Sequence, residues 1–376
     1  MYNGAVNPPG DPNPTLNNVS LDNPGTNLAS GQTIAAADLP VLPLGVTGIA
    51  QPYHPPTSTQ YSLGVQQGIG THSVLNIAYV GSQGRHENFY QAINLPPLAD
   101  LPGMVAAGHL DNTDVTYLGF GGIRMATNGG NARYNSLQTS LTGTVHHDLH
   151  LQVAYTFSKA QDSTTSNGSG GDLNNATNPY AGWSYDFGPS QFDRRSIFFA
   201  NFVYDIPLFR SDNNKMLRAT LGGWQFSGII TEESGAPLNL SVNGTTAKSI
   251  IGNTGVRPDL NGSISYPKTV ASWFNPASFS APACVTGPDC YGNLGFDALR
   301  GPGRNNFDLA LMKNFAFTER FRMEFRAEAF NAWNHTQFKG DANNGGISTN
   351  VGASNFGAVT GAFDGRQWQL ALKAIF

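Results

Sequence analysis

The run Arg366-Gln367-Trp368-Gln369-Leu370-Ala371-Leu372-Lys373-Ala374-Ile375-Phe376 decides the fold. Trp368, Leu370, Leu372, Ala374 and Phe376 share one parity, and Gln367, Gln369, Ala371, Lys373 and Ile375 share the other. Such alternation marks a β-strand whose faces meet different surroundings, one apolar and one polar. A tilted strand of about 9–11 residues is also long enough to cross a bilayer. Aromatic rings stand at both ends of the apolar face, where a membrane interface favours them. On this reading Trp368, Leu370, Leu372 and Phe376 belong to a barrel-closing strand with its apolar face in lipid.

Upstream, Phe321, Met323, Phe325, Ala327 and Ala329 alternate with Arg322, Glu324, Arg326 and Glu328. A charge at the bilayer midplane costs about 2–4 kcal/mol, so these four charges are expected to face a lumen. There they read as a paired wall, paired across to neighbouring strands, ahead of a substrate path. The partner strand carries Phe307, Leu309 and Leu311 against Asp308, Ala310 and Met312, and Phe317-Thr318-Glu319-Arg320 makes the turn.

The same texture runs back to Ser58. Tyr61, Leu63 and Val65 lead through Gly68–His72 to a strand over Val74–Val80. Arg133–Val145 turns at His146-His147-Asp148 into Leu149–Ser158, then come Ser196–Ile206 and Trp224–Thr231, which may extend to Val242. Ser196–Ile206 is apolar on both faces and cannot be oriented from sequence. Between them, Gly81–Ala132 shows no period, and 1–56 reads as a loop or disordered segment rich in Pro, Gly and Asn. Connections alternate between short and long, as periplasmic turns and extracellular loops do in membrane barrels. The count is about nine strands, an odd number where single-chain barrels have even ones. The fold expected is therefore all-β: an antiparallel transmembrane β-barrel, partial, with residues 57–376 as its C-terminal part and long extracellular loops.

Composition agrees. Only 12% of residues are charged, while 44 are Gly, 23 Phe and 13 Tyr, and mean hydropathy is -0.25. A net charge of -4 speaks against nucleic-acid binding. No run approaches the roughly 18 apolar residues of a membrane helix. The first residues, Met1-Tyr2-Asn3-Gly4-Ala5-Val6, lack the basic and apolar parts of a secretion signal. With the odd strand count, this leads to the expectation of a fragment of a longer protein.

Cys284 and Cys290 flank a Gly-Pro loop and read as a disulfide rather than a metal pair. His146, His147 and His150 read as solvated polar residues rather than metal ligands, and no cofactor is expected. No P-loop, H-E-x-x-H, G-x-S-x-G or C-x-x-C pattern occurs, so an enzyme is not expected. Trp183, Tyr185, Phe187, Trp273 and Phe274 in the long loops fit either a ligand-catching surface or loop cores.

Several pieces are also familiar as text: Gln60–Gln66 with Ala78–Gly84, Tyr134–Gln138, Tyr155–Lys159, Gly222–Gly228, Leu299-Arg300-Gly301-Pro302-Gly303 and Phe330–His335. Together, from about residue 58 onward, they resemble the barrel of TonB-dependent transporters of the Oar-like group, which carry a carboxypeptidase-regulatory-like domain. The resemblance implies a 22-stranded barrel around a plug, with TonB engaged only through an N-terminal region missing here. It also implies outer-membrane lipid and the barrel assembly machinery as partners, with the terminal aromatic read by that machinery. The ligand is not legible. A complete smaller porin-like barrel and a soluble all-β adhesin or lectin are the rival readings.

Overall fold

The computed structural model describes residues 44–108, 115–117, 120–145, 148–163, 176–242, 256–318, 320–340 and 346–376. A short strand, β1 (Leu44–Ile49), precedes nine longer ones. These are β2 (Thr57–Ile69), β3 (Ser73–Ala92), β4 (Phe120–Val145), β5 (Leu149–Asp162), β6 (Ser196–Asp205), β7 (Trp224–Glu233), β8 (Arg304–Ala316), β9 (Arg322–Phe330) and β10 (Gln367–Ile375). From β2 to β10 each strand pairs antiparallel with its neighbour in sequence. Among the described residues the outer edges of β2 and β10 have no partner, so the sheet is an open, partial barrel.

Register turns separate alternations into one continuous belt. Leu75, Leu141, Val153, Ala200, Ile230 and Phe307 lie opposite one another from β3 to β8. A second row crosses β5 to β10 as Leu149, Tyr204, Phe226, Leu311, Ala327 and Leu370. Because side chains alternate with period 2, a one-residue slip in any strand would break these rows. β6 thereby gains the orientation its sequence left open: Phe198, Ala200, Phe202 and Tyr204 join the belt. The opposite face is mostly polar, and Asn201 Nδ2 donates to Gln152 Oε1 at 3.2 Å there.

Rings border the belt. At one end Phe315, Phe317, Phe321 and Phe376 form a chain of stacked rings with centroids 5.2–6.5 Å apart. Towards the other end Tyr61 stacks on Tyr79 at 6.2 Å, and Phe307 meets Trp333 at 6.1 Å. Both tyrosine hydroxyls donate to Asn135 Oδ1. Gly81 makes room for this arrangement, since a Cβ there would lie 2.3 Å from the Tyr61 ring.

Three expectations need correction. Gly81–Ala132 holds strand at both its ends: β3 runs on to Ala92 and β4 begins at Phe120. Its register shifts between Arg85 and Glu87 and again between Glu87 and Phe89. Bulges of this kind reverse the parity of the faces, so no single period survives in the sequence. Likewise, 1–56 is not all loop, for β1 pairs in parallel with Phe120–Ala126 of β4. β7 ends at Glu233 and does not run to Val242; Pro237–Leu238 pairs instead with Leu299–Arg300. The turn residues His146, His147 and Glu319 and the loop 166–171 lie outside the described residues.

Short connections occupy one end of the sheet, including a turn over Gly70–His72 and a segment after β6 with helix α2 (Lys215–Thr220). Long connections occupy the other. Helix α1 (Leu101–Ala107) lies in the β3–β4 connection. The long connections build a cap with its own core, where Leu238, Leu240, Phe274, Phe279, Leu294, Leu299 and Ile347 are buried together. A second cluster joins Leu101, Val242, Val256, Cys290 and Tyr291. Burial is thus inverted between the two parts. Belt residues such as Leu63 (76% exposed) and Leu372 (65%) stay open, whereas Phe274 and Leu299 in the cap are 0% exposed. Burying one such side chain contributes roughly 1.5–3 kcal/mol, and the open belt gains the same only from hydrocarbon.

Candidate functional site

The polar side of the wall and the cap above it are the surfaces on which chemistry can act. On β9, Arg322, Glu324, Arg326 and Glu328 stand on the face opposite the belt. Arg326 Nη2 contacts Glu324 Oε1 at 3.0 Å, and its Nη1 lies 3.7 Å from Glu328 Oε1. The pairing therefore runs along the strand from i to i±2 rather than across to neighbours. Across the sheet, Glu324 is in register with Lys373 on β10 and Asn314 on β8. Half-exposed pairs like these contribute about 0–1 kcal/mol each, so the ladder sets the potential of the polar face more than it holds the sheet together.

Trp368, Leu370 and Leu372 of β10 lie opposite Ala329, Ala327 and Phe325 of β9, on the belt face. Phe376 extends past the strand and stacks on Phe321. Among the basic residues that share the belt parity, Lys313 on β8 is in register with Trp224 and Phe325. It is 2% exposed. Its ammonium donates to the carbonyls of Thr220, at 3.0 Å, and Gly222, and lies 5.3 Å from the centre of the Trp224 ring. A cation at the short-turn end of a strand can reach past the apolar belt in this way.

The cap's polar centre was not anticipated from the sequence. Arg257 is 4% exposed, with its guanidinium 3.6 Å from the Tyr185 ring centre and 3.9 Å from Asp186. Asp186 accepts from the Thr177 backbone N–H at 2.8 Å. Arg300 pairs with Asp193, whose other oxygen accepts the Ala160 N–H at 2.6 Å, tying the cap to β5. Asp297, 4% exposed, stands near both arginines and near Asp162, and burial together with that second carboxylate pushes its pKa up to about 7. Desolvation also raises the Tyr180 hydroxyl to about 12 and the Tyr185 and Tyr291 hydroxyls upward. The text pattern Leu299–Gly303 was the only trace of this hub, and pattern alone does not say which charges it gathers.

Cys284 and Cys290 are joined, with Cα atoms 3.9 Å apart, and both pack against α1 and Tyr291 through the second cap cluster. Of the loop aromatics, Phe274 is core and Trp273 donates to the Arg300 carbonyl at 2.8 Å. Trp183 stays partly exposed, edge-on to Phe187 at 5.9 Å. His150 contacts Thr144 Oγ1 at 3.0 Å on the polar face. Among the described residues no group of three or more His, Cys, Asp or Glu side chains is gathered for a metal. Among the described residues no helix is long and apolar enough to cross a membrane.

Comparison with known proteins adds the family. A family model described as an outer membrane beta barrel domain matches residues 1–369. No curated protein matches the sequence. Among solved structures, the outer membrane transporter YddB from Escherichia coli aligns at TM-score 0.46 and 12% identity over 88% of this chain and 34% of that one. BauA, the ferric preacinetobactin receptor from Acinetobacter baumannii, aligns at TM-score 0.38 and 10% identity, over 85% and 29%. The ferripyoverdine receptor of the Pseudomonas aeruginosa outer membrane aligns at TM-score 0.36 and 11% identity, over 85% and 27%. The chain spans about a third of the length of these proteins or less. With the family model covering nearly the whole chain and an apolar belt running unbroken across its strands, the chain belongs to the outer membrane β-barrel domain family and is a protein of the outer membrane.

Proposed function

We propose that this chain supplies wall and extracellular cap to a TonB-dependent outer-membrane uptake receptor of the Oar-like group, and that it performs no catalysis. The observation that carries the reading is the pairing of an unbroken apolar belt with a packed cap on the long-loop end only. A pore for free diffusion needs an open mouth, whereas a receptor needs a shaped surface above the lumen. The Oar-like assignment rests on the sequence resemblance. TonB would be engaged through an N-terminal region outside this chain, and the strand ending at Phe376 would be recognised by the assembly machinery. Lipid is the partner of the belt, and the ligand is one the cap selects.

The test is made on the natural gene product that carries this chain, reconstituted in planar bilayers. A receptor stays closed, without steady conductance, and cross-links to TonB in cells. Steady open-channel steps without TonB capture would replace this reading with the porin-like one. A product that stays soluble and shows no heat-modifiable mobility would replace it with the adhesin or lectin.

A further inference from the structure

At the junction between cap and wall Arg257 and Arg300 meet Asp162, Asp186, Asp193 and Asp297. Arg257 is engaged by Asp186 and Arg300 by Asp193. Among the described residues Asp297 forms no ion pair with either arginine, and the charged groups acting on it are Asp162 at the end of β5, Arg257 and Arg300. Its Oδ1 is buried and accepts no hydrogen bond among the described residues. An ionised carboxylate in that position carries a large desolvation penalty, whereas a neutral one carries little.

Its backbone sits at a seam. Asp297 has φ 49 and falls between Phe296, whose carbonyl would lie 2.4 Å from a Cβ on Gly188, and Leu299, which is fully buried in the cap. Gly188 pairs with Asp162. Four residues after Asp297, a Cβ on Gly301 would lie 2.1 Å from the Gly340 carbonyl, and one on Gly235 would lie 1.7 Å from the Gly301 carbonyl. The segment from Phe296 to Gly303 thus touches two other long connections and the start of its own, and it has no slack to absorb a new charge.

From this geometry we propose that Asp297 is a proton-dependent latch: protonated, it holds Phe296–Gly303 between the cap and the wall, and its ionisation loosens that segment. The inference goes beyond the receptor reading and does not depend on it, since a porin or any other barrel with this cap would carry the same latch. The sign follows from linkage. A carboxyl whose folded pKa is raised, here from 3.8 to about 7, stabilises the closed segment fully below the unfolded value. That contribution is lost as pH rises through the folded value, then stays constant.

Hydrogen–deuterium exchange on the full chain in its membrane environment reads this out. After correction for intrinsic rates, the opening constant of residues 296–303 is expected to rise between pH 5 and 7. The slope is at most about tenfold per unit, that of one linked proton, and it levels off above. D297N should abolish the rise. D162N removes the like charge and should move the levelling-off to lower pH, which keeps the test available if D297N does not fold. An opening constant independent of pH in the natural chain, or an unaltered profile in either folded variant, would overturn the latch.

Discussion

Single side chains at this interface carry energies that pattern cannot reveal. Arg300 illustrates it: about a third exposed, it neutralises Asp193, which is 1% exposed and also caps the Ala160 N–H. Removing one partner of a buried pair costs about 3–5 kcal/mol because the other charge is stranded, and solvent at Arg300 reduces this towards the lower end. R300M should therefore make the long connections cleavable by added protease while the strands persist, as shown by retained heat-modifiable mobility. Equal protease resistance would remove the pair as the tie. At the opposite end, Lys313 offers its ammonium to the carbonyls of Thr220 and Gly222. K313M keeps the length and removes the donor, at about 1–3 kcal/mol, so the urea midpoint of the folded barrel in detergent should fall. An unchanged midpoint would make Lys313 a bystander.

At the scale of elements, the β9–β10 pair shows what alternation can and cannot supply. Period 2 separates Met323 and Phe325 from Glu324 and Arg326 without any structure, and the register puts Leu372 beside Phe325. Placing the first pair in lipid and the second in the lumen is a prediction. Cysteines at 323 and 324, introduced singly, should differ under a membrane-impermeant thiol reagent, with labelling at 324 and little at 323. The reverse pattern would invert the wall. The end of β10 tests a different role. Every backbone group inside hydrocarbon must be paired, so the last strand matters for insertion more than for ligand contact. Deleting Phe376 from the natural gene product that carries this chain should lower the amount of folded barrel while leaving ligand binding by the inserted fraction unchanged, and undiminished membrane levels would count against that role. β3 marks where alternation fails, because two register shifts after Arg85 interrupt the period over its last seven residues, His86 to Ala92.

For the whole molecule, the contrast lies between a wall that is open and a cap that is closed. The wall was legible in the residues themselves: alternation, terminal aromatics, scarce charge and the order of short and long connections all follow from one strand having two solvents. Those features depend on a residue and its near neighbours, so they survive in a linear reading. The cap was not legible. Phe274 buried against Phe279 and Phe356, Arg257 under Tyr185, and Arg300 on Asp193 unite residues up to 107 positions apart, through connections with no period at all. Cys284 and Cys290, close in sequence, could be paired by reading alone, yet their packing against α1 could not. The sequence by itself determined which face is apolar in every strand but β6, because that is a local choice of polarity. Only the tertiary structure decided how the loops fold and where their charges meet, because irregular chain takes its conformation from its partners.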